Sequence, residues 1–353
     1  MGLTSYLWSA VPFVAMITVE CTDVGLSVIS KAALTRGMSN FVPVVYSNAL
    51  GTLILLPYFI FFRKKAAPLS FSMLKMFFLL ALIGSVGQMI YLTGVKFSSP
   101  TLSSAIMNLT PIFTFLLAIM FRMEKVDFRR SSSQAKVLGA IVSVTGALAV
   151  TLYKGPPVLA ATSSSNFLHQ FLLFKDSRWI IGGFLLLLTS LSSAIWTIFQ
   201  TAAVKAYPDE MTIVFFFTFF ITVQAAVFTL ILERNPAAWR LKSSFEVIAI
   251  VSTAILGSLF RIAIHTWCLR KKGPVYVVMF KPLGIAIAVV MTVTFLGEIL
   301  HLGSVVGSVI ITVGFYAVMW GKTKEKNMGL QNENSTMASS GPKTPLLQSS
   351  EII

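Results

Sequence analysis

Apolar residues in this chain gather into ten runs of about twenty, separated by short stretches that hold most of the basic residues and turn-forming Gly and Pro. Twenty residues of α-helix rise about 30 Å, the thickness of a bilayer's hydrocarbon core. The runs predict helices over 8–30, 41–62, 74–94, 101–121 and 135–153. After a loop over 154–178 they predict five more, over 179–203, 211–232, 245–268, 275–296 and 300–320. Residues 321–353 turn polar and rich in Ser, Asn and Lys, and read as a disordered cytoplasmic tail.

Composition agrees with lipid as the solvent. Of the 353 residues, 56% are hydrophobic and 12% charged, half the charged share of an ordinary soluble domain, and the mean hydropathy is +0.81. The net charge of +15 does not indicate nucleic acid as a partner, because the basic residues sit in short clusters between apolar runs. Ten spans put both ends on one side. On that side fall Arg63-Lys64-Lys65, Arg122, Arg129, Arg130, Lys136, Arg270-Lys271-Lys272 and Lys322. They outnumber the basic residues of the other side, so both termini are expected in the cytoplasm, with the plasma membrane favoured over the vacuolar one. The first run has no basic segment before it and contains Glu20 and Asp23, so it reads as a retained span rather than a signal peptide.

The two halves echo each other. Trp8 and Trp179 open corresponding helices, and Gly84-Ser85 answers Gly257-Ser258. Pro100 and Pro274 precede the fourth and ninth helices, with Glu124 and Glu298 at the same interval behind them. Gly139 and Gly146 match Gly307 and Gly314. A first repeat over 8–153, an inter-repeat loop over 154–178 and a second repeat over 179–320 follow. Five helices is an odd number, so the second repeat enters the membrane inverted. That is a recurring architecture of secondary transporters, and it gives an expected fold of ten transmembrane helices in two inverted five-helix repeats.

Several short motifs carry a family resemblance. They are Lys31-Ala32-Ala33-Leu34, Asn108-Leu109-Thr110-Pro111, Arg122-Met123-Glu124-Lys125, Leu152-Tyr153-Lys154-Gly155-Pro156, Gly273-Pro274-Val275, Met279-Phe280-Lys281-Pro282-Leu283 and Trp320-Gly321-Lys322. Over roughly 8–322 the chain resembles the plant WALLS-ARE-THIN-related (UMAMIT) family of the EamA-like drug/metabolite transporter superfamily. It departs from the family's common pattern at Glu20 and at Ser47-Asn48 after Tyr46. The resemblance implies two EamA-like repeats around a central cavity and transport of amino acids or, in some members, auxin.

Ionisable groups deep in apolar runs are costly and usually face the bundle interior. Glu20 and Asp23 share one face of the first helix and would either hold a substrate ammonium, exchange a proton, or form a structural pair. Arg261 and His265 share a face of the eighth helix; Arg261 suits a substrate carboxylate or an ion pair with Glu20 or Asp23 that holds the bundle, and His265 a proton relay or a helix–helix hydrogen bond. Lys281, beside the helix-breaking Pro282, and Asn108, near Pro111, are candidates for the cavity wall, with Asn48, Gln88 and Gln200 as further polar lining. Gln224 reads as an interhelical bond, and Glu124 as a surface pair. Nothing resembles HExxH, a P-loop or GxSxG, and neither Cys21, Cys268 nor the scattered histidines have metal spacing. The expected protein is thus not an enzyme and needs no cofactor. It is a facilitator or proton-linked carrier of small polar metabolites, amino acids foremost, with auxin or another organic anion as the alternative cargo. A receptor or scaffold is a distant third reading.

Overall fold

The computed structural model describes every residue except 1–2, 36–37, 40, 63–68, 98–102, 104–105, 125–126, 128, 154–176, 235, 242, 297–301 and 340–353. The described chain is helical, without strands. Its helices are α1 (Leu3–Thr35), α2 (Val42–Phe62), α3 (Phe71–Phe97), α4 (Thr110–Met120), α5 (Ser131–Leu152), α6 (Ser177–Ala206), α7 (Glu210–Leu232), α8 (Ser244–Lys272), α9 (Pro274–Val278 and Phe280–Leu296) and α10 (Leu302–Ser339). Among the described residues, nine are long and apolar enough to cross a membrane. The exception is α4, whose 11 residues rise only about 16 Å. It was expected to run over 101–121, but a turn at Asn108 and Leu109 precedes it.

Proline explains the two broken helices. Pro111 has no N–H to give the carbonyl four residues back, and its ring crowds that turn; the chain turns at Asn108–Leu109, where Leu109 N–H reaches the Ile106 carbonyl at 3.0 Å. Pro282 does the same to α9, and the helix is interrupted at Met279. Both interruptions lie within three residues before the proline. A third irregularity carries no proline: the middle of α8, Thr253–Arg261, is wound as a π-helix, a local widening that recurs at functional sites.

Apolar side chains cover the outside, as lipid requires. Phe61 is 73% exposed and Leu230 63%, positions that water would punish. Inside, small residues let helices meet closely. A β-carbon on Gly139 would lie 2.6 Å from the Gly314 carbonyl oxygen. One on Gly146 would lie 2.9 Å from the Gly307 carbonyl oxygen, and one on Gly321 2.6 Å from the Ser132 carbonyl oxygen. These contacts bind α5 and α10 into one antiparallel pair. Around it α2 packs on α7, α3 and α4 on α6, and α8 and α9 on α1.

One boundary differs from the sequence reading. The tail was placed from residue 321, yet α10 continues to Ser339. Lys322 and Glu325 extend it because they find charged partners in the first half of the chain. Lys136 Nζ, with none of its side chain exposed, lies 3.0 Å from Glu124 Oε1 and 2.6 Å from Glu325 Oε2. Lys322 Nζ lies 3.5 Å from Glu124 Oε2. Lys136 is therefore a buried helix residue rather than loop charge, and Glu124 is not a surface pair. Glu298 and residues 154–176 of the inter-repeat loop lie outside the described residues.

Candidate functional site

A cavity of about 870 Å³ runs into the bundle, the upper part of the range of small-molecule pockets. Its walls include Asn48, Gln88, Asn108, Gln200, Arg261, His265 and Lys281, so seven of the nine residues expected at the site come together there. One end reaches Met38 and Ser39 in the α1–α2 link and Pro43 at the start of α2; the other stops at Leu269, Val277 and Val278. Beyond that floor Met16, Cys268, Leu269, Tyr276, Phe280 and Phe315 form a buried apolar cluster, with Phe280 edge-on to Phe315 at 4.9 Å between ring centres.

Glu20 and Asp23 stand behind the wall rather than on it. Lys281 Nζ sits between them, 3.2 Å from Glu20 Oε1 and 3.3 Å from Asp23 Oδ2. Glu20 is 3% exposed, and its other oxygen rests against Gly284, where a β-carbon would come within 2.6 Å. A glycine at this turn of α9 is what leaves room for a carboxylate inside the bundle. The pairing of two carboxylates with two cations leaves the site neutral, which is what makes burial of so many charges tolerable.

Arg261 is held differently. Its Nε donates to the Gly257 carbonyl at 3.0 Å and lies 3.6 Å from Asp23 Oδ1. Both contacts use Nε, and among the described residues none engages the two terminal nitrogens. The side chain is 41% exposed, on the cavity wall. Gly257 and Arg261 both lie in the π-wound segment, so the irregular turn supplies both the carbonyl that steadies the guanidinium and the opening it faces. His265, one turn on, is buried, and its Nε2 has no hydrogen-bond partner among the described residues. Gln200 donates from Nε2 to Thr266 Oγ1 at 3.0 Å. Gln224, by contrast, is an interhelical clamp: Ser85 Oγ donates to its Oε1 at 2.8 Å and its Nε2 donates to the Phe78 carbonyl at 3.3 Å.

Residue patterns alone missed Trp196, which lines the cavity and packs on Phe217. Nothing distinguishes it in sequence from the aromatic residues that face lipid. They also missed Gly284, one glycine among 22. Among the described residues no group of His, Cys, Asp and Glu is arranged to hold a metal.

A helical bundle of this kind, with a charged cavity enclosed by membrane-spanning helices, defines a multi-pass membrane transporter, and the comparisons with known proteins agree. The model of the EamA-like transporter family matches residues 12–152. The chain is 48% identical to the WAT1-related protein At5g40240 of Arabidopsis thaliana, over 89% of this chain and 88% of the relative. It is 44% identical to the WAT1-related protein At3g28050 of the same plant, over 96% and 95%. This chain belongs to the WAT1-related proteins of the EamA-like transporter family. A solved crystal structure aligns with a TM-score of 0.67 over 89% of this chain and 98% of its own, at 11% identity, a likeness of fold alone.

Proposed function

We propose that this transporter carries small carboxylate-bearing polar metabolites, amino acids foremost, by alternating access, and that Arg261 is the anchor for the carboxylate. The observation that carries the reading is the unclaimed end of that guanidinium. Two parallel N–H donors matched to a carboxylate face a cavity of about 870 Å³, while the Lys281 ammonium is paired with both Glu20 and Asp23. Those carboxylates offset the charges of Arg261 and Lys281 at a depth where charge is expensive.

The packing supports two inverted repeats. Exchanging helices 1–5 for 6–10 turns the α3–α6 and α4–α6 contacts into the α8–α1 and α9–α1 contacts, and leaves α2–α7 and α5–α10 unchanged. Gly139 meets Gly314 and Gly146 meets Gly307, the crosswise pattern of a two-fold axis in the membrane plane. The paired breaks near Pro111 and Pro282 obey the same exchange. Such a pair has two related packings, one open to each side. With both termini in the cytoplasm, of the plasma membrane in this reading, the cavity's reach to the α1–α2 link makes this the outward-facing packing.

A second reading keeps the carrier and changes the cargo to auxin or another organic anion. It is favoured by the placing of the cations at the wall and the carboxylates behind it, which leaves a substrate ammonium without an exposed Glu20. Flux of labelled amino acids and organic anions into proteoliposomes, with and without a pH gradient, tests both. Under the amino-acid reading Arg261→Ala and Glu20→Gln each impair amino-acid flux; under the anion reading Arg261→Ala is far the worse. A folded protein that moves no member of either panel would reject the proposal.

A further inference from the structure

The end of the bundle opposite the cavity mouth is closed by two kinds of contact, and their geometry differs in a way that separates a permanent joint from a detachable one. The Lys136–Glu325 pair joins α5 to α10, is short at 2.6 Å and has a lysine with no exposed side chain. It sits on the helix pair that the glycine contacts already lock together. Among the described residues Lys322 makes long contacts: 3.5 Å to Glu124 Oε2 and 3.4 Å to the Lys272 carbonyl at the C-terminal end of α8. The first of these crosses from α10 to the α4–α5 link, and the second from α10 to the α8–α9 turn. That turn leads directly into Tyr276 and Val277 of the buried apolar cluster, the plug, and into Val275 and Met279, which pack against Phe115, Ala140 and Val318 beside it.

We infer that Lys322 is the releasable tie of the gate at this end. Opening the closed end requires the α8–α9 turn to move off the α5–α10 frame. Helix pairs close-packed through backbone move as rigid bodies, whereas the turn between two helices can hinge. The bonds of Lys322 cross from the frame to that turn and must break; the Lys136 pair travels with the frame and stays intact, and Arg270, bonded to Tyr207, Pro208 and Glu210, keeps the end of α8 on the α6–α7 link and the start of α7. Release of Lys322 from the Lys272 carbonyl frees the start of α9, whose interruption at Met279 supplies the joint about which Pro274–Val278 swings. Removing the Lys322 ammonium therefore shifts the population toward the packing open at this end without unfolding the bundle. The inference rests on alternating access but on no particular substrate.

The chain carries its own reporter. Cys268 is fully buried in the plug, one turn before Lys272, while Cys21 lies on α1. Maleimide labelling of the purified full-length protein, read at each cysteine by peptide mass spectrometry, follows the opening of the plug without any substrate. Lys322→Met is expected to raise the labelling rate of Cys268 about threefold to tenfold with an unchanged thermal midpoint and an unchanged rate at Cys21, and Lys322→Arg to restore the parent rate. Lys136→Met is expected to lower the thermal midpoint instead. Parent-rate labelling of Cys268 in Lys322→Met overturns the inference. So does a rise matched by a fall in midpoint, which marks a loosened fold rather than an opened gate. Absence of any transport in the flux assay would remove the carrier reading while leaving this labelling result to be judged on its own.

Discussion

Glu124→Gln is the perturbation whose consequence the structure specifies most closely. The Glu124 carboxylate, 10% exposed, accepts from Lys136 Nζ at 3.0 Å and from Lys322 Nζ at 3.5 Å. Removing its charge leaves the wholly buried Lys136 with Glu325 alone. Breaking a buried pair by deleting one partner costs about 3–5 kcal/mol. Here Glu325 persists and is 37% exposed, so water shares the load and the expected cost falls to about 2–3 kcal/mol. The second half of the argument is a rescue. In Glu124→Gln/Lys136→Met the orphaned ammonium is replaced by an apolar chain of similar length, and the double variant should return to within about 1 kcal/mol of the parent, since well-packed apolar groups often match a buried ion pair. Unfolding in mixed detergent micelles, followed by tryptophan fluorescence or loss of helical signal, measures all four corners of the cycle. A single variant as stable as the parent, or a double variant less stable than the single one, would refute the reasoning.

Four further variants have expected outcomes. Gly139→Ala puts a methyl 2.6 Å from the Gly314 carbonyl oxygen and 2.8 Å from Val318 N, both backbone atoms, and should cost about 1–3 kcal/mol in the same assay; Gly25→Ala, with nothing within 4 Å, should be neutral or slightly stabilising. Gly284→Ala pushes Glu20 away from Lys281 and should lower flux about tenfold with protein yield and folding retained, whereas equal flux would show that the Glu20 position is idle. Gln224→Leu removes bonds to Ser85 and Phe78 and should cost about 1 kcal/mol with transport unchanged, since it lies away from the cavity wall.

The membrane spans were legible because burial in lipid demands runs of apolar residues, a constraint that acts on every position of a helix at once. Pro282 announced a break, because the missing N–H is a property of the residue itself, whereas the turn at Asn108–Leu109 falls inside a run that the sequence reads as one helix over 101–121. The π-wound stretch of α8 was not legible: its widening depends on which neighbours press on Thr253–Arg261, and Gly257-Ser258 alone reads equally well as helix packing. The charged site was half legible. Depth in an apolar run marked Glu20, Asp23, Arg261 and Lys281, but which of them reaches the cavity depends on the rotation of each helix. Only the folded bundle shows the carboxylates set behind the cations. The same holds for Lys136, whose position beside a basic loop concealed a side chain turned wholly inward, and for Glu325, whose partner is 189 residues away in sequence.

The account turns on the free end of Arg261. Initial rates of carboxylate-bearing solute uptake into vesicles holding equal amounts of folded wild-type and Arg261→Ala protein address it most directly. The prediction is saturable uptake by the wild type that falls at least tenfold in kcat/KM with alanine and is only partly recovered by Arg261→Lys, since an ammonium cannot form the paired contact. Wild-type rates from the alanine variant would contradict it.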